Sequence, residues 1–118
     1  ACIGIGENGH IAFNDPGVAD FNDSDLVKLV LLDEACKKQQ FNEGWFPSLD
    51  AVPKLALTLT IPAILKSKFI SCVVPEKRKS KAVYDSLNGQ INTNCPASIL
   101  RTHLGSTLFL DKDSASRL

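Results

Sequence analysis

The chain has 118 residues, 44% of them apolar, and thirteen basic side chains balance thirteen acidic ones. That length suits one compact domain rather than two, and the balanced charge excludes a global field that would draw the chain to nucleic acid or to an anionic membrane surface. A small anionic ligand needs local charge only and is still allowed. No apolar run approaches the roughly 20 residues of a membrane span, and no basic-then-apolar leader opens the chain. Cys2, Cys36, Cys72 and Cys95 lie far apart. They form no C-x-x-C pair and stand near no His at zinc-ligand spacing, so buried, reduced thiols of a cytoplasmic protein without a metal are expected.

In chain order, Ile3 and Ile5 close a short apolar strand. Because the chain opens on Ala1-Cys2-Ile3, already the inside of a strand, it is expected to be part of something longer. A glycine loop follows at once, then a long turn-rich segment from His10 to Ser24 with room for one helical turn. Val27 to Leu32 is a strand rich in branched apolar residues, and Asp33 caps a helix from Glu34 to Gln40. Asn42 to Val52 is loop, and carries Trp45 and Phe46, large aromatics that suit either a lid or an interface. Leu55 to Leu59 is strand, and Thr60 caps a short helix, Ile61 to Leu65, with Pro62 in its first turn. Phe69 to Val74 is an unbroken apolar run ended by Pro75, the pattern of a strand covered on both faces. Lys77 to Leu87 is a helix with Ala82, Val83 and Leu87 on one face and Gly89 as its stop. A short helix from Ala97 to Arg101 precedes His103, which is read as structural, and Thr107 to Leu110 is the last strand. Strand and helix alternate, which predicts an α/β fold with a mostly parallel sheet and flanking helices.

The opening stretch Gly4-Ile5-Gly6-Glu7-Asn8-Gly9 satisfies G-x-G-x-x-G, and Asp33 ends the next strand where a ribose-binding acid would stand. A dinucleotide loop must feed a helix, however, and Asn14-Asp15-Pro16-Gly17 would break one after about one turn. The pattern fits better with a loop built to present His10 at the carboxyl end of a strand. Asp15, five residues on, can fold back to fix the imidazole tautomer, and Asn8 adds an amide on the same side. The bland alternative is a surface turn with an incidental histidine.

At these residues the chain resembles the glucosamine-6-phosphate deaminases (or isomerases). The likeness runs from GIGENGHIAFNDPG through VPKLALTLTIPAIL, CVVPEKRKSKAV and CPASILRTH, nearly the whole chain. The related 6-phosphogluconolactonases share the glycine-histidine element but normally lack the Ala-Phe-Asn-acidic-Pro continuation, so Ile11 to Pro16 favours the deaminases. The resemblance implies a Rossmann-like α/β fold and conversion of an amino-sugar 6-phosphate to fructose 6-phosphate and ammonia, without metal or organic cofactor. It gives His10 the opening of the sugar ring. Asp15 takes the place of its acidic partner, usually a glutamate, so the shorter side chain needs a closer backbone or a bridging water. Asn8 stands where many members have an aspartate, with Gly9 between them in the substrate loop. Lys79, near a helix start, falls on a phosphate-binding lysine, whereas Lys77 and Lys81 read as solvated. Gln40 falls where relatives carry a phosphate-binding arginine, which leaves glucosamine and galactosamine 6-phosphate both open as substrates.

The family's amino-terminal half supplies a Ser/Gly/Thr phosphate loop and an enolising Asp, neither of which occurs here. Residues 1–118 are therefore expected to be the carboxy-terminal portion of a single sugar-phosphate domain, incomplete at its amino-terminal side and inactive in full turnover by itself. Apolar faces at Ile3, Ile5 and Val27 to Leu32 are expected to lie open to the missing half or to another copy. The alternatives are a non-catalytic sugar-phosphate-binding fragment and a 6-phosphogluconolactonase-like hydrolase.

Overall fold

The structure, a computed structural model, describes all residues 1–118. Three parallel strands make the central sheet in the order β1 (Cys2–Ile3), β4 (Ile70–Val74), β5 (Ser106–Leu110), with Ile3 opposite Cys72 and Ile70 opposite Ser106. The mostly parallel sheet of the α/β reading is therefore present. β2 (Val27–Leu31) and β3 (Leu55–Leu59) stand apart from it as an antiparallel ribbon, with Leu29 facing Leu57.

The helices start where local chemistry allows. Asp33 accepts the Cys36 amide at 2.6 Å and opens α1 (Glu34–Asn42); Thr60 accepts from Ala63 and opens α2 (Ile61–Leu65). Both satisfy backbone donors that a helix start leaves free. The expected helix after β4 is split: Lys77–Lys79 is a 3₁₀ turn and α3 runs Ser80–Asn88. Arg101 closes the other end of α3 by donating to the Leu87 and Gly89 carbonyls, from a 3₁₀ segment, Pro96–Thr102. His103 accepts the Gly105 amide at Nδ1 and contacts the Ser67 carbonyl through Nε2, a structural role as expected.

Ile70, Cys72 and Val74 of β4 point into the main core with Ile5, Ile11, Ile61, Ile64, Ala82, Val83, Ala97 and Leu100. The apolar run of β4 is covered on this face only: Val73 and its cross-strand neighbour Phe109 are both more than half exposed, because α2, α3 and the Pro96–Thr102 segment pack against the alternate positions. Ile5, expected to lie open, is buried. In the expected Val27 to Leu32 segment, Val27, Leu29 and Leu31 do lie open, and with Leu55, Leu57 and Leu59 they form one exposed face of the ribbon, while Val30, Leu32 and Thr58 are buried. No helix is long and apolar enough to cross a membrane. All four cysteines are free, but only Cys36 and Cys72 are buried; Cys2 is exposed and Cys95 half-buried, against the expectation that all four lie inside.

Burial decides the cost of truncation. Ile70→Ala, at a position 2% exposed, should cost about 2–5 kcal/mol in urea unfolding. Leu57→Ala, 69% exposed, should stay within about 0.5 kcal/mol of the parent.

Candidate functional site

A cleft of about 310 Å³ opens at the carboxyl edge of β1 and β4, the edge where open α/β sheets hold ligands. Its walls include Gly6 and His10 from the loop after β1, Gln39 and Glu43 from α1 and the turn beyond it, and Glu76, Arg78 and Lys79 from the turn after β4.

The His10 loop closes on itself. Gly6 donates to the His10 carbonyl and Gly9 to the Gly6 carbonyl, and no helix follows, which removes the dinucleotide reading. A side chain at Gly6 would put its Cβ 2.1 Å from the His10 ring, so the ring can lie against the backbone only because position 6 is glycine. Gly9 has φ +84°, and a Cβ there would meet Cys95 Sγ at 2.8 Å. Further on, Asn14 donates to the Ile11 and Leu59 carbonyls, and the Phe13 amide donates to Thr58, which pins the loop to β3.

His10 and Asp15 are both buried, with Nδ1 at 2.9 Å from Oδ1. That ion-pair contact is not aligned as a hydrogen bond, and Asp15 Oδ2 has no partner. Asp15 thus reaches the imidazole directly, without the bridge its short side chain would otherwise need. Asn8 joins the parts: Nδ2 donates to Asp15 Oδ1 at 3.0 Å and to Asp33 Oδ2 at 3.1 Å, and Oδ1 accepts the His10 amide at 3.1 Å. Burial pushes the Asp15 pKa up, but the contacts from His10 and Asn8 and the charge His10 can carry outweigh it and hold the carboxyl below its ordinary range. His10 Nε2 makes no bond within the protein and is the nitrogen left for the cleft.

Sequence spacing did not show that Cys36 joins this pair. Its thiol comes within 4.8 Å of ligand atoms on His10 and Asp15, a group that could in principle hold a metal, although none was expected. Burial first, and then the negative field of Asp15 and Asp33, push the thiol up to about 12, so it stays protonated beside the His10–Asp15 pair.

Lys79 is 7% exposed, its ammonium engaged by no ion pair or hydrogen bond, and burial lowers its pKa against the opposing pull of Glu43 and Glu7. Gln40 does not reach the cleft. It lines a separate small cavity with Phe13, Leu32 and Phe46, whereas Gln39, one step round α1, is buried in the cleft wall. A one-residue step rotates a helical side chain by about 100°, enough to separate the two glutamines. Lys77 and Lys81 are exposed, the latter paired with Asp85, as expected of a solvated face. Trp45 is 70% exposed and donates its indole N–H to Glu43, while Phe46 lines the Gln40 cavity. Sequence reasoning missed Gln39, Glu43, Glu76, Arg78 and Cys36. The only available signal was their placement beside Gln40 and Lys79.

No family model matches the chain. It is 42% identical over 114 residues to glucosamine-6-phosphate deaminase 1 of Bacillus subtilis, covering 97% of this chain and 45% of the relative. Among solved structures, a monomeric glucosamine-6-phosphate deaminase superposes with a TM-score of 0.87 at 43% identity, over 98% of this chain and 46% of that one. The 6-phosphogluconolactonase of Trypanosoma brucei superposes at 0.73 with 21% identity, over 99% of this chain and 41% of its own, a likeness of fold alone. The fold is therefore the Rossmann-like α/β architecture common to these sugar-phosphate proteins. Within it, the chain is a homologue of the glucosamine-6-phosphate deaminases over nearly its whole length, and it spans about half the length of the relatives it matches.

Two predictions follow from the geometry. Gly6→Ala should displace the His10 ring, seen as a changed imidazole NMR signal, with little loss of fold. Because folding lowers the Asp15 pKa, the stability it contributes is complete above the unfolded value of 3.8 and is lost as pH falls through the folded value. Asp15→Asn should flatten that acid limb when urea unfolding is followed between neutral pH and pH about 2.

Proposed function

We propose that residues 1–118 are the carboxy-terminal portion of a single aminosugar-phosphate deaminase domain, and that this portion holds the phosphorylated sugar and opens its ring. The observation that carries the reading is the buried His10–Asp15 pair facing a cleft that also holds an unengaged, buried Lys79. A sugar 6-phosphate supplies what each lacks: an anion for Lys79 and a proton-bearing hydroxyl for His10 Nε2.

In this reading Asp15 fixes the ring with Nδ1 inward. Nε2 takes the proton from the anomeric hydroxyl and returns it to the ring oxygen, so that the ring bond breaks and an open-chain aldehyde forms. Asn8 orients both partners but adds no charge, so Asp15 is the only anion in direct contact with the imidazole. Moving the C2 proton to C1 needs a free carboxylate over the sugar. The cleft carboxylates Glu43 and Glu76 both stand against Arg78, on the wall that this reading gives to the phosphate, so enolisation and release of ammonia fall outside what these residues supply.

Anomer exchange of glucosamine 6-phosphate, followed by NMR magnetisation transfer, tests this. The chain should accelerate exchange without forming fructose 6-phosphate, and His10→Ala should abolish the acceleration. Exchange unchanged by the protein would overturn the ring-opening role. Fructose 6-phosphate formed by the chain alone would show that a carboxylate here does serve as the base.

A further inference from the structure

Arg78 is the one cleft residue whose partners are poorly matched to it. Its Nε is held by Glu76 Oε2 at 2.7 Å, but the two terminal nitrogens have only long contacts: Nη2 to Glu43 Oε1 at 3.4 Å and Nη1 to Glu7 Oε1 at 3.6 Å. A guanidinium binds best through two parallel, short contacts to one oxyanion. Here one edge is anchored and the forked edge is loosely held, at a cleft where the neighbouring Lys79 ammonium makes no ion pair or hydrogen bond.

We infer that Arg78 is the second cationic arm of the phosphate subsite, and that its fork exchanges Glu43 for the phosphate of the ligand while Glu76 keeps Nε in place. This rests on the sugar-phosphate reading above and assigns a recognition role to a residue that reading leaves unused. Three observations support it. Arg78 and Lys79 are consecutive and both line the cleft, so one phosphate entering it meets both. Glu43 can release Arg78 at small cost, because its carboxylate also accepts from Gln39 Nε2 at 3.0 Å and from the Trp45 indole at 3.2 Å. The anchor is built in deliberately strained backbone: Glu76 has φ 82° and ψ 142°, a region that side chains rarely occupy, and this places its carboxylate on the guanidinium two residues on.

Calorimetric titration with inorganic phosphate and with glucosamine 6-phosphate, against unphosphorylated glucosamine, tests the inference. Arg78→Gln should weaken binding of both phosphates by roughly tenfold or more, and Arg78→Lys, which keeps charge but not the fork, should fall between. Glu43→Gln, by removing the competing carboxylate, should tighten phosphate binding, and by less when Arg78 is also Gln, since the lost charge alone favours an anion in either background. Far-UV circular dichroism melts establish that each variant is folded. Parent-like phosphate binding by Arg78→Gln overturns the inference, as does a Glu43→Gln variant that weakens binding as Arg78→Gln does. A parent chain that binds neither phosphate overturns the sugar-phosphate reading and this inference together.

Discussion

The site depends on the three hydrogen bonds of one amide. Asn8 donates to Asp15 and to Asp33 and accepts from the His10 backbone, so it ties the histidine, its carboxylate partner and the cap of α1 into a single knot. Burying a carboxylate such as Asp15 costs several kcal/mol unless partners meet it; the Asn8 amide donates to it and the His10 imidazole lies in ion-pair contact. The knot is also what fixes α1 against the loop: Asp33 uses one oxygen to cap the helix and the other to take the Asn8 amide. Because α1 carries Cys36, Gln39 and the turn to Glu43, the same knot sets one whole wall of the cleft.

Around it, packing leaves little freedom. Gly6 lies against the imidazole and Gly9 against Cys95, so two of the glycines are explained by contacts rather than by loop flexibility. The backbone departs from common conformations at Ala12 (φ 51°) and Glu76 (φ 82°), and both residues line the cleft. Strain of this kind persists only where the surroundings over-determine it, and it gathers at sites that place side chains for a ligand. The main core supplies that support from one face of the sheet, through Ile5, Ile11 and Val74 directly beneath the loop and the β4 turn.

The charges divide along the same lines. On the His10 side the buried carboxylate has its partners, the imidazole and the Asn8 amide, inside the protein. On the other wall Lys79 is buried with no ion-pair contact, and Arg78 is shared among three carboxylates, two of them distant. One wall is electrostatically closed and the other is open to an anion. The outer face of the β2–β3 ribbon, with six exposed branched residues, and the Val73–Phe109 pair mark the surfaces that the fold itself leaves uncovered.

Local chemistry alone determined much of this. The caps at Asp33 and Thr60, the strands at Val27 to Leu31, Leu55 to Leu59 and Ile70 to Val74, and the pairing of His10 with Asp15 and Asn8 were all legible, because each depends on residues within a few positions or on a simple alternation. What the sequence could not decide is which face of an element meets the cleft. Gln39 and Gln40 are chemically identical, and only the rotation of α1 against the loop puts the first in the wall and the second in another cavity. Cys36 meets His10, and Arg78 meets Glu7 and Glu43, across long stretches of chain that no local pattern links. The apolar run of β4 likewise carries no mark of which face is covered, since a strand alternates its side chains and the helices select one set. Tertiary packing made those choices, because burial and charge pairing are settled between segments, whereas caps and strand patterns are settled within them.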